Sequence, residues 1–224
     1  MFSPSGHQEI WNSLVSEPGI GVCVVAEDGL ILYANVQTTS MYDQAAPEEL
    51  IGKRFDELFP EEWVKERLSL IHRVLESGEP MTLRVIWNGR QIRSTYRPIE
   101  TPEGDSAGKR VLILSRGCPL GGQGAVNPQD VVEAEIVHLG KLDVLTSKEI
   151  EVLALLGQGL RLKEIAEVLH RSPKTIDNHR TSIGRKLNLA DRVDLAKVAA
   201  EAGLELRDAQ RKRVAPEQTP FSSE

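Results

Sequence analysis

Two amphipathic stretches only three residues apart constrain this chain more than any other feature. Leu162, Ile165, Ala166 and Leu169 stand at i, i+3, i+4 and i+7, one apolar stripe on a two-turn helix. After His170, Arg171 and Ser172, Pro173 opens a second helix. Ser172 is an N-cap worth about 1 kcal/mol, and Pro173 suits a first helical position, where its missing N–H has no partner to lose. The second helix is expected to run to Lys186 or Asn188. Ile176, Ile183 and Leu187 mark its buried side, and at about 100° per residue Lys174, Asn178, Thr181 and Arg185 fall opposite. Upstream, Thr146-Ser147-Lys148-Glu149 is a capping box opening a helix through Ile150, Leu153, Ala154 and Leu156, which Gly157 and Gly159 stop. A fourth helix follows Asp191, with Leu195, Val198, Ala199 and Ala202 as its core positions.

A short helix, a tight turn and a second helix with a cationic and amide-bearing outer face suit major-groove reading. Asn can pair with adenine, and Lys or Arg with guanine. Asp177 beside that face either accepts from cytosine or is tolerated at the rim. His179 lies near the Ile176 and Ile183 side, so it is either a partly buried structural histidine or a phosphate contact. Charge alone decides little, because a basic helix face is ordinarily just solvated.

The formal charge of −6 argues against a nucleic-acid partner until its distribution is considered. Lys141 to Arg207 holds 12 Lys/Arg against 10 Asp/Glu, which leaves 15 against 23 elsewhere. The acidity therefore belongs to the other part of the chain. A length of 224 residues with 40% apolar and 27% charged residues fits two small globular domains. The N-terminal MFSPSGHQEIW has no basic stretch leading into an apolar one, and nowhere do some 18 uncharged apolar residues run together, so no membrane association and a cytoplasmic location are expected. Cys23 and Cys118 lack metal-ligand spacing and read as reduced thiols.

Upstream of the helices the pattern is mixed. IGVCVVA, an Asp28-Gly29 turn and LILYAN read as a hairpin, followed by helix starts at Pro47-Glu48-Glu49 and Pro60-Glu61-Glu62. The second helix should reach about Ser77 with Gly78 as its cap. MTLRVIWN, the turn Asn88-Gly89, RQIRSTYRPI and KRVLILS supply three more strands. The fold class is thus α+β, with a five-stranded antiparallel sheet and helices followed by an all-α four-helix head. The expected division is a domain over 10–116, a linker over 117–139, the helical head over 140–206 and a disordered tail over 207–224. Gly117 to Asn127 is Gly-rich, and Pro128 to Leu139 has a helical rhythm through Val131, Val132, Glu135, Ile136 and Leu139, so a connecting helix able to pair two subunits is expected there.

The blocks LTSKEIEVL, GQGL, KEIA, S-x-K-T-I-x-N-H and KL resemble the LuxR-type (NarL-type) helix-turn-helix over its whole length. That resemblance implies DNA binding, with the third helix of the head in the major groove. It makes Asp177, Asn178 and Thr181 the base readers and Lys174, Thr175, Arg180, Arg185 and Lys186 backbone or flanking contacts. The chain departs from the family pattern at Arg161-Leu162, where a small polar cap is usual. The segment from about Ser13 to Arg116, through LILYANVQTTSMYDQAAPEELIGKRFDELFP and VLESGEP, resembles a PAS domain.

PAS modules often hold a small molecule between sheet and helices. Met41, Tyr42, Phe55, Leu58, Phe59, Trp63 and Leu70 either line such a pocket or are plain core. The Asn-Cys-Arg motif of flavin photosensors does not occur, and the position of a heme-ligating His holds Arg67, with His72 five residues on, so neither flavin nor heme is expected and the cofactor, if any, is unknown. No G-x-S-x-G, Walker A loop or placed Cys/His pair marks an enzyme. The expectation is a homodimeric transcription regulator that binds double-stranded DNA and senses a small molecule or protein partner through its PAS domain. The alternative is a protein-interaction module whose PAS domain is a ligand-free dimerisation scaffold.

Overall fold

The computed structural model describes residues 4–43, 46–99, 108–118, 131–189 and 191–214. The chain opens with α1 (Pro4–Val15), which the sequence patterns above do not anticipate; its Trp11 ring packs 5.6 Å from Tyr33. β1 (Ile20–Ala26) and β2 (Ile31–Ala34) form the first hairpin, turning at Gly29 with φ 84°. Four helices follow: α2 (Val36–Tyr42), α3 (Pro47–Leu50), α4 (Phe55–Leu58) and α5 (Glu61–Ser77). Gly78 closes α5 in the left-handed region, and Pro60 with Glu61 and Glu62 opens it as the dipole favours.

β3 (Met81–Trp87) and β4 (Arg90–Ile99) turn through Asn88 and Gly89, both at positive φ, which matches the right-handed twist of the strands they join. With β5 (Arg110–Gly117) these strands make an antiparallel sheet in the order β2-β1-β5-β4-β3. Along β3, Leu83, Val85 and Trp87 join the core under the helices, while Ile86 belongs to the core of the helical head. The period of two thus places Arg84 and Ile86 on the sheet's second face, and the head covers it.

Two expectations require correction. A connecting helix was expected over Pro128 to Leu139; residues 128–130 lie outside the described residues, and those that follow are extended. β6 (Val131–Glu133) adds a sixth strand, parallel to β3, and β7 (Ile136–Val137) follows it. The β-branched pairs Val131-Val132 and Ile136-Val137 are poor helix formers, and the free edge of β3 offers them unpaired backbone groups. The sheet accordingly has six strands rather than five. The Gly-rich stretch over 119–127 lies outside the described residues.

The tail was expected to be disordered from residue 207. Instead a 3-10 turn (Leu206–Gln210) leads into β8 (Lys212–Arg213), which pairs parallel with β7. Arg213 donates to the Leu145 carbonyl at 2.6 Å, and Lys212 pairs with Glu62 of α5. These partners are distant in sequence, so a polar segment without periodicity gave no sign of them. Residues 215–224 lie outside the described residues.

The two units meet at a buried guanidinium. Arg84 (3% exposed) donates from Nη1 and Nη2 to both carboxylate oxygens of Asp208 (1% exposed), each at 2.8 Å, and from Nη2 to the Gly203 carbonyl at 2.9 Å. Its Nε donates to Gln91 at 2.8 Å, and Glu133 of β6 accepts from Nη1 at 3.0 Å. Burial opposes the charge, but Asp208, Glu205 and Glu133 more than offset it and raise the guanidinium's pKa. No helix among the described residues is long and apolar enough to cross a membrane.

Removing Asp208 takes away the one fully buried carboxylate and leaves the guanidinium only the partly exposed Glu133 and Glu205. Asp208→Ala should therefore cost about 3–5 kcal/mol in urea denaturation, and Arg84→Met combined with Asp208→Leu should recover much of it. Equal losses in the single and double variants would show that the pair is not what joins the units.

Candidate nucleic-acid interface and sensor cavity

The head comprises α6 (Ser147–Gly157), α7 (Leu162–Val168), α8 (Pro173–Leu187) and α9 (Arg192–Ala202). Each start follows from its cap. The Thr146 hydroxyl accepts from Glu149 N, the Ser172 hydroxyl from Thr175 N at 3.1 Å, and the Asp191 carboxylate from Val193 N at 3.0 Å. At α7, where the small polar cap is missing, Glu164 instead accepts from the backbone N–H of Arg161 at 2.6 Å. His170 adopts positive φ in the turn, and the Arg171 N–H bonds back to Ala166 O. That turn redirects the chain from α7 into α8 within four residues.

α8 is anchored by two fully buried side chains, Ile176 and Ile183. Lys174, Asn178, Thr181 and Arg185 are exposed along the opposite side, spread over about 16 Å of helix axis. The side chains of Lys174, Asn178 and Arg185 make no hydrogen bond among the described residues, and the Thr181 hydroxyl bonds only to the Asp177 carbonyl, at 2.9 Å. The remaining sequence-chosen residues are engaged to different degrees. Asp177 and Arg180 form an ion pair at 2.9 Å, and Thr175 shares a 2.8 Å hydroxyl contact with Ser172. His179 is half-buried in a groove with Val152, Leu169 and Ile176.

Lys186 reaches back to α6, with its side chain 29% exposed. Its ammonium donates to Glu149 at 2.6 Å, and Ser182 donates to the same carboxylate at 2.7 Å, while Thr146 N donates at 2.8 Å. Burial would raise the Glu149 pKa, but Lys186, Thr146 and Ser182 together hold it down at about 2. Glu149 thus caps its own helix and fastens α8 to α6. The sequence pattern shows its capping role but not its two partners on α8, which are 33 and 37 residues away.

In the other unit a cavity of about 40 Å³ lies between the sheet and α2–α5. Tyr42, Phe55, Leu58, Phe59 and Trp63 line it, whereas Met41 and Leu70 do not. The strands add Cys23, Tyr96, Ile113 and Ser115, which single alternating positions do not distinguish from core. A hydroxyl chain runs from Tyr42 to Ser94 at 3.2 Å and on to Ser115 at 2.8 Å. Burial pushes the Tyr96 phenol well above its usual range and the Cys23 thiol up to about 12, so that thiol stays protonated and unreactive. Among the described residues no group of His, Cys, Asp and Glu could hold a metal ion.

One wall of this cavity leads outward. Trp87 donates from Nε1 to the Tyr42 carbonyl at 3.1 Å, and its ring lies 4.8 Å from that of His138, which follows β7. His138 accepts from Asn88 N at 3.2 Å, and burial lowers its pKa although Asp43 and Asp143 act against the shift.

Residues 143–199 match the family model of the bacterial regulatory proteins of the luxR family, and residues 18–116 match that of the PAS fold. The matched regions are thus a PAS module followed by a LuxR-type helix-turn-helix head. It is 43% identical over 58 residues to the transcriptional regulatory protein UhpA of Escherichia coli (strain K12), covering 26% of this chain and 30% of that protein. It is 41% identical over 61 residues to the oxygen regulatory protein NreC of Staphylococcus carnosus (strain TM300), covering 27% and 28%. The chain therefore spans less than a third of the length of these relatives. Vibrio cholera VqmA, solved with ligand and DNA, has the same fold, with a TM-score of 0.52 at 17% identity over 92% of this chain and 93% of that one.

The Glu149 carboxylate makes the head sensitive to acid in a defined window. Its folded pKa is depressed, so the stability it contributes is complete above the ordinary value of 4.5 and is lost as pH falls towards about 2. Urea midpoints measured between pH 5 and pH 2 should fall for the native chain and fall less for Glu149→Gln. Parallel curves would remove Glu149 from its anchoring role.

Proposed function

We infer that this chain is a transcription regulator that reads double-stranded DNA with α8 under the control of its PAS module. One observation carries the reading: Ile176 and Ile183 are buried while Lys174, Asn178, Thr181 and Arg185 face outward. Asp177, Asn178 and Thr181 read base edges, and Lys174, Thr175, Arg180 and Arg185 hold phosphates or flanking groups. Lys186 contributes chiefly by fixing α8 on Glu149, and His179 supports the helix from its half-buried side. UhpA, by its name a transcriptional regulatory protein, and VqmA, solved with a ligand and DNA, support the reading.

The regulator acts without enzymatic chemistry and in the cytoplasm. Two copies place two heads on successive half-sites, as expected for a two-fold-symmetric binder. The PAS cavity receives the signal, and the contact from Tyr42 through Trp87 to His138 carries it to the linker.

Fluorescence anisotropy on the operator and on random duplex tests the division of labour. Arg185→Ala should weaken both duplexes alike and reduce the slope of log affinity against log salt by about one. Asn178→Ala should cost about 1–3 kcal/mol on the operator and little on random DNA. Equal losses on both duplexes from both substitutions would contradict the assignment of readers and anchors.

A further inference from the structure

Two side chains one turn apart on α5 are buried with N–H groups unmet. Trp63, 3% exposed, forms part of the cavity wall, and its indole Nε1 has no acceptor. Arg67 is wholly buried beside it, its guanidinium carbon 4.8 Å from the centre of the Trp63 ring. Nη1 of Arg67 donates to Glu66 at 2.7 Å, but Nε and Nη2 meet no acceptor. All three idle atoms are donors. A buried donor left without an acceptor is costly to a fold, and its retention calls for an explanation.

The geometry of the idle atoms names the missing group. Nε and Nη2 share one edge of the guanidinium, and their parallel N–H bonds match the two oxygens of a carboxylate. Glu66 takes only the remaining nitrogen and stays partly exposed at 19%. Its other oxygen accepts from Glu135 N at 2.6 Å, so Glu66 joins Arg67 to the linker between β6 and β7. The rest of the cavity wall is largely apolar, with Ile31, Leu58, Phe55 and Phe59 among its members, and Thr38, Tyr42, Tyr96 and Ser115 bring hydroxyls to it. Its volume of about 40 Å³ is room for two or three waters, which sets a small body for any occupant.

We propose that the PAS cavity binds a small monocarboxylic acid with an apolar body, its carboxylate docking on the Nε/Nη2 edge of Arg67. The inference rests on the reading of this module as a sensor and adds the chemistry of its ligand. Arg67 lies behind Trp63 rather than in the wall, so the acid reaches it by displacing the indole. Its carboxylate then competes with Glu66 for Arg67 and loosens the hold of Glu66 on the linker amide.

Titration calorimetry on the full chain with acetate and propionate, against acetamide and 1-propanol, tests this. At least one acid should bind at least about tenfold more tightly than the neutral compounds. Arg67→Met should abolish that preference. Arg67→Lys, which keeps the charge but loses the fork, should retain only part of the preference. Acids and neutral compounds binding alike, or acid binding unchanged in Arg67→Met, would overturn the carboxylate and leave the sensor reading standing. No binding by any of the four compounds, with DNA affinity unmoved by them, would count against both.

Discussion

The relation between the two units depends on a single cation, Arg84, placed on the side of β3 that a lone PAS module would turn to water. A guanidinium with 3% exposure survives there only because Asp208, Glu133 and Glu205 come to it from the linker and from the segment beyond α9. Its side-chain fork meets the Asp208 carboxylate at both oxygens, which fixes direction as well as distance. Ile86, two residues on, enters the core of the head along with Leu139, Leu142 and Leu145. The sheet therefore serves two cores, one on each face.

Much of this architecture is legible in the sequence, because most of it is decided locally. Asn88-Gly89 sets a hairpin, Thr146 and Glu149 set a helix start, and Gly78 ends a helix, each through the conformational preference of one or two residues. The six-stranded sheet and the ordered tail are decided elsewhere. β6 forms because β3 has an open edge, and Lys212 and Arg213 are held by Glu62, Asp143 and Leu145, partners about 70 to 150 residues away. A pattern with a period of 3.6 over Val131 to Leu139 is misleading where β-branched residues meet an unpaired strand.

The candidate interface divides in the same way. Helical spacing alone separates Ile176 and Ile183 from Lys174, Asn178, Thr181 and Arg185, since both groups obey one period. It cannot tell Lys186 from Arg185, its neighbour with a different role, because the partner that draws Lys186 towards α6 is Glu149. In the cavity, spacing marks Tyr42, Phe55, Leu58 and Trp63, but Cys23, Tyr96 and Ser115 come from strands that meet only in the folded sheet. The unmatched nitrogens of Arg67 likewise become visible only when its surroundings are known.

A line of contact connects these parts. Tyr42 in the cavity wall carries Trp87, Trp87 packs on His138, and His138 leads into the helices that hold α8. The central claim is that the segment after α9 locks the head onto the outer face of the PAS sheet. Hydrogen exchange of the backbone amides from Leu206 to Val214 in the full chain tests it most directly. Protection comparable to that of β3 and β4 is expected, whereas exchange as fast as in an unstructured peptide would contradict the account.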